Sequence, residues 1–208
     1  MTKKLVGTGF LLVLLVLAMG TPSGSVNVPL KAVRVGDGFA GALPDNAWRE
    51  NMAAYDFVLR EGLSLRLLAG FDQDHLYLGF SVKDPFLNFA DDFSLDFRGS
   101  DHLRLIFWPL GPTPVTLYLL PSSKIKEPLL NISGVSWRQT SVTVRSSSMP
   151  DGYFLTVAIS LANLGVAPGH REIPVQIGVH EVGGTGEAKT YWLFGTGPQD
   201  YATLVLSR

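Results

Sequence analysis

Five aspartates crowd the stretch between Leu76 and Phe107: Asp84, Asp91, Asp92, Asp96 and Asp101, with Phe86, Phe89, Phe93 and Phe97 set among them. Carboxylates at this density repel one another, and exposed rings are poorly hydrated. Such a loop is therefore best explained by a cation, a ligand or a partner. Calcium takes about six to eight oxygens from carboxylates and carbonyls, and these side chains can supply several from one loop. Their spacing fits no EF-hand. A second reading stays open, in which a solvated acidic loop keeps a sheet edge from pairing with another chain.

Other chemistry does not assemble. There is no cysteine nucleophile and no Gly-x-Ser-x-Gly elbow. His75, His102, His170 and His180 lack metal-ligand spacing. His75 falls in a turn and His102 alternates outward from a strand, so both are expected to be exposed. Gly183-Gly184-Thr185-Gly186 has no helix after it and reads as a flexible loop, not a phosphate cradle. A net charge of −1 supplies no basic field, which excludes a nucleic-acid partner. The expected role is binding, not catalysis.

The 208 residues suffice for one core and one domain. Residues 1–24 read as a signal peptide: Lys3 and Lys4 give a positive start, Phe10 to Ala18 is aliphatic, and Ala18-Met19-Gly20 offers small residues for cleavage. The apolar run is shorter than the ~20 residues that span a bilayer, so contact with the membrane is transient. The mature domain, 25–208, is expected to be secreted or periplasmic. Lacking cysteine, it is held by its core or by bound ions, not by disulfides.

The elements that must position these groups are strands. Short apolar runs broken by Gly, Pro, Asp and Asn predict strands at Leu63–Phe71, Leu76–Val82, His102–Trp108, Val115–Leu119, Ser141–Val144, Tyr153–Ile159, Val175–Val182 and Ala202–Leu206. Asp72-Gln73-Asp74-His75 predicts a hairpin link, and Pro150-Asp151-Gly152 a second turn. Leu161 to Leu164, closed by Gly165, predicts a single helical turn. With no crossover helices, the expected fold is an all-β, antiparallel two-sheet β-sandwich.

The ordered motifs resemble a known family. These are Val35-Gly36-Asp37-Gly38, Asn46-Ala47-Trp48, Leu76-Tyr77-Leu78 through Val82-Lys83-Asp84-Pro85, and Asp101-His102-Leu103-Arg104-Leu105. They continue with Asp151-Gly152-Tyr153 through Leu164-Gly165, Ile177-Gly178-Val179, and Trp192. Together, over residues 31–206, they resemble the family 9 carbohydrate-binding modules and their wider superfamily, which includes haem-binding electron-transfer domains.

The resemblance implies a non-catalytic β-sandwich that binds a glycan or a sugar-bearing envelope component, with structural calcium in some members. Rings stack on the C–H face of a pyranose while polar neighbours bond its hydroxyls. Well-known members clamp the sugar between two Trp rings. Here the first position falls at Phe97-Arg98 and the second at Gly195-Thr196-Gly197, neither holding Trp. The implied sugar contacts are Phe97, Arg98, Trp192 and Tyr201. The haem branch implies a b-type haem held by Met and Lys. Lys189 matches the Lys and His180 is an alternative ligand, but Pro109–Pro114 has no Met where one is expected. A third reading is a protein-binding subunit that kept the sandwich and lost the sugar site.

Overall fold

The computed structural model describes residues 29–36, 51–89, 99–108, 114–121, 129–133, 142–166 and 169–207. The leader expected at residues 1–24 and Trp48 lie outside them. Among the described residues, twelve strands form: β1 Leu30–Arg34, β2 Ala53–Arg60, β3 Leu63–Phe71, β4 His75–Lys83, β5 His102–Phe107 and β6 Val115–Leu120. These are followed by β7 Leu129–Ser133, β8 Val142–Met149, β9 Gly152–Ser160, β10 Glu172–Val182, β11 Ala188–Trp192 and β12 Ala202–Ser207.

The alternation read from sequence is the alternation of the core. Leu63, Leu65, Leu67 and Ala69 of β3 face inward with Leu103, Leu105 and Phe107 of β5. Tyr153, Leu155, Val157 and Ile159 of β9 join them, as do Ile173, Val175, Ile177 and Val179 of β10. A smaller cluster on the other side of β3, β4 and β9 gathers Val35, Met52, Leu68, Tyr77, Phe154 and Ala158.

Both turn signals act as expected. The Asp72 carboxylate accepts from the backbone N–H groups of Asp74 and His75, each at 2.8 Å, and from the Tyr77 hydroxyl. That closes the β3–β4 hairpin, whose register runs from Ser64 opposite Lys83 to Phe71 opposite Leu76. After Pro150 and Asp151, the strand restarts at Gly152, where any Cβ would strike the carbonyl oxygen of Val82. Leu161 to Gly165 makes the expected single turn, with Leu164 N–H donating to Ser160 O at 3.3 Å.

The all-β, helix-poor expectation holds, whereas the purely antiparallel pairing needs correction. The hydrogen-bonded path runs β7-β6-β5-β10-β12-β1-β3-β4-β9-β8, one continuous ladder with β11 attached to β10 and β2 to β3. β1 lies parallel to both of its neighbours, β12 and β3. It has no hairpin partner to reverse it; it is laid between the last strand and β3, and so joins two layers that would otherwise be separate. On the opposite side, Arg60 of β2 forms an ion pair with Glu181 of β10. Phe57 meets Phe194 edge-on at 6.0 Å, so the sheet is nearly closed.

One edge of β10 changes partner midway. Glu172 to Val175 pair with β12, and Gly178 to Val182 pair with β11. Gln176, fully buried, fills the break. Its Nε2 donates to the carbonyls of Phe194 and Gly197, and its Oε1 accepts from Phe194 N–H at 3.2 Å and Ile177 N–H at 2.9 Å. Replacing it by an isosteric apolar group orphans buried backbone groups that water cannot reach. Gln176→Leu is therefore expected to cost about 2–4 kcal/mol of stability, read from urea unfolding; a loss under about 0.5 kcal/mol would contradict this role.

Candidate functional site

Register places four residues in one row across four strands: Trp192 of β11 opposite Gly178 of β10, Gly178 opposite Arg104 of β5, and Arg104 opposite Tyr118 of β6. Gly178 makes the row possible. A Cβ there would lie 2.8 Å from Trp192 Cζ3 and 2.9 Å from Thr190 Cγ2, so only glycine lets the indole lie down on the strand. The Arg104 guanidinium carbon then stands 5.4 Å from the Tyr118 ring centre and 5.4 Å from the Trp192 ring. Cation–π attraction of about 0.5–2 kcal/mol per ring holds that arrangement.

The next row holds His102, His180 and Thr190, again paired across strands. The two imidazoles stack with centres 4.3 Å apart. His102 Nδ1–H donates to Ser100 O at 3.0 Å, and His180 Nδ1 lies 2.9 Å from Thr190 Oγ1. The exposure expected for His102 is corrected: the side chain is buried, 4% exposed. Outward alternation from the core is not outward to water here, because the His102 imidazole is hemmed in by neighbouring rings on the same face, His180 at 4.3 Å and Tyr118 at 5.8 Å. Burial, with the nearby His180 and Arg104, pushes the His102 imidazole down to about 4.

Beside Trp192, the unpaired edges of β2 and β11 face a cavity of about 560 Å³, lined in part by Asp56, Phe57, Thr190, Trp192 and Thr196. Thus an aromatic ring and several polar residues edge it; the Asp56 carboxylate also lies 3.5 Å from Arg66 Nε, and Thr190 Oγ1 also meets His180 Nδ1. A second cavity, about 540 Å³, lies away from this row beside Arg34, Asp72, Asp74, His170 and Arg171. Its buried carboxylate, Asp72, is already committed to the hairpin hydrogen bonds.

The expected site residues divide among these places. Trp192 stands in the row, half-buried. Tyr201 instead packs against Trp108, with ring centres 5.2 Å apart. Lys189 pairs with Glu181 in register and sets its ammonium over the Tyr191 ring, while His180 pairs with Thr190. Successive residues point to opposite faces, so Lys189 and His180 do not converge. Phe97, Arg98, Asp91, Asp92 and Asp96 lie outside the described residues.

Asp84 and Asp101 are both buried. Asp84 Oδ1 accepts from Phe86 N–H at 2.8 Å; Asp101 accepts from Asn88 N–H at 2.6 Å and Val182 N–H at 2.8 Å. Burial, and then the charge of Asp84, pushes Asp101 up to about 6. The hydroxyl of Tyr153, buried and near both carboxylates, has no hydrogen-bond partner among the described residues. No group of three His, Cys, Asp or Glu side chains converges among the described residues.

Arg104 and Tyr118 were not singled out from sequence. The signal was present in Leu103-Arg104-Leu105, where a cation alternates with core positions, but only register shows which rings flank it.

The fold is shared with solved carbohydrate-binding modules of family 9. One, from Caldicellulosiruptor kristjanssonii in complex with cellotriose, superposes with a TM-score of 0.64 at 14% identity, covering 86% of this chain and 94% of that one. Another structure of a family 9 module from that organism, in complex with glucose, gives 0.62 at 13% identity, covering 86% and 96%. No family profile and no curated protein matches the chain.

Asp101 and His102 give opposite pH dependences. Folding raises the Asp101 carboxyl from 3.8 to about 6, so the folded chain holds a proton that the unfolded chain releases, and stability falls as pH rises between those values. Folding lowers His102 from 6.5 to about 4, so the unfolded chain takes up the extra proton, and stability rises with pH over that window. Between about pH 4 and 6 the two effects offset each other. Urea midpoints should therefore climb with pH in Asp101→Asn and drop with pH in His102→Gln; slopes of the same sign in both variants would rule this out.

Proposed function

We propose that this chain is an exported, non-catalytic carbohydrate-binding module whose sugar rests against Trp192, beside Arg104 and Tyr118. The observation that carries this reading is the indole laid over Gly178 at the lip of a cavity edged by Asp56, Thr190 and Thr196. A flat apolar ring next to separate hydrogen-bonding groups is what a pyranose needs, with C–H bonds on its faces and hydroxyls on its rim. The shared architecture with sugar-binding modules supports the same reading. A glycan or a sugar-bearing envelope component is the natural partner for an exported chain. Phe97 and Arg98 remain candidates for a second wall.

Calcium ordering the acidic loop is a second reading, favoured by the buried pair Asp84 and Asp101. Two carboxylates held out of water, with backbone donors and, for Asp84, the nearby Arg60 charge as their compensation, still rest above their ordinary ionisation range, and a cation would relieve both. Asp84, Asp101 and the Tyr153 hydroxyl supply a partial oxygen set, to be completed by carbonyls or by Asp91, Asp92 or Asp96.

Two measurements test these readings. Affinity electrophoresis through soluble neutral glycans is expected to retard the protein, and Trp192→Ala to weaken binding at least about tenfold, or about 1.4 kcal/mol. Unaltered retardation of that variant would place the sugar elsewhere. For the ion, a chelator is expected to lower Tm and added calcium to restore it, since a ligand of the folded state alone stabilises by mass action; coincident melting curves would remove calcium from the account.

A further inference from the structure

Arg104 is the most unusual cation in the described chain. Its guanidinium is flanked by two rings, its Nε is buried without a hydrogen-bond partner, and no carboxylate pairs with it among the described residues. The other buried acids near this half of the sheet are committed: Glu181 to Arg60, and Asp101 to two backbone N–H groups. His102 and His180 occupy the neighbouring row, and neither can supply a negative charge. A half-buried guanidinium loses hydration, and ring faces return only part of it, because they offer no acceptor to its buried in-plane Nε–H. A planar carboxylate satisfies such a fork with two parallel hydrogen bonds, and a hydroxyl satisfies it with one.

Resting on the carbohydrate reading, we infer that the glycan bound at this row is acidic, with a uronic-acid carboxylate on Arg104 and its pyranose ring against Trp192 or Tyr118. A uronate carries both required parts in one residue: a C–H face for the ring and, one carbon outside the pyranose, a carboxylate for the guanidinium. The net charge of −1 gives the whole chain no general attraction for polyanions, so any preference for acidic sugar must come from a local site.

The test compares the mature chain in gels containing polygalacturonate, its methyl ester, or a neutral β-glucan. Polygalacturonate is expected to bind at least tenfold more tightly than the ester, and Arg104→Gln to bring that ratio close to one. Arg104→Lys should recover only part of it, having charge without the fork. Lys83→Gln, which removes an exposed cation on β4, should keep the ratio. Equal binding of acid and ester, or a ratio that survives in Arg104→Gln, would overturn the acidic-ligand inference while leaving sugar binding in place. Binding to none of the three glycans would overturn both.

Discussion

Along one edge of β10, backbone donors and acceptors must pass from β12 to β11; between Val175 and Gly178 the Ile177 carbonyl accepts from Leu193 N–H just past β11, while the Ile177 N–H has no strand to receive it. The amide of Gln176 takes over that stretch, reaching Phe194 and Gly197. Because an unpaired buried backbone group costs as much as a lost hydrogen bond, the break is tolerated only with such a substitute. The rest depends on this hand-over. It ends β12's ladder where β11 must start, fixes the path of the segment after Trp192, and brings Phe194 under the Phe57 ring.

The site follows from the same strand. Gly178 is two residues past Gln176, on the same face, and its missing side chain is the space the indole fills. β10 pairs with β5 on its other edge, so Arg104 must lie beside that indole, and the β5–β6 register then brings Tyr118 to its far side. No loop has to be ordered to build the row. It is made of sheet, and its geometry is as rigid as the ladder.

How much of this was legible follows from burial. Eight strands could be read because their inward positions carry Leu, Ile, Val or Phe at period two. β1, β2, β7 and β11 were missed for different reasons. β2 has a half-exposed pattern with Val58 almost fully in water, and β11 reads Ala-Lys-Thr-Tyr-Trp, polar and short. β1 and β7 are only five residues long, and the parallel pairing of β1 depends on partners far away in the chain. Trp192 was legible by type, whereas Arg104 and Tyr118 required the register of three strands. The buried state of His102 was hidden because alternation gives a face and not what covers it. The carboxylates Asp84 and Asp101 stood out in sequence, and burial added the reason: two acids share one dry region.

The central claim is that the row Trp192–Gly178–Arg104–Tyr118, and not another aromatic surface, meets the sugar. The direct measurement is a ¹H–¹⁵N spectrum recorded during titration with a glycan, following the indole Nε1–H of each Trp and the Nε–H of Arg104. The account predicts that the Trp192 and Arg104 signals shift together and saturate at the same glycan concentration. Saturating shifts confined to Trp108, the partner of Tyr201, with Trp192 and Arg104 unmoved, would contradict it.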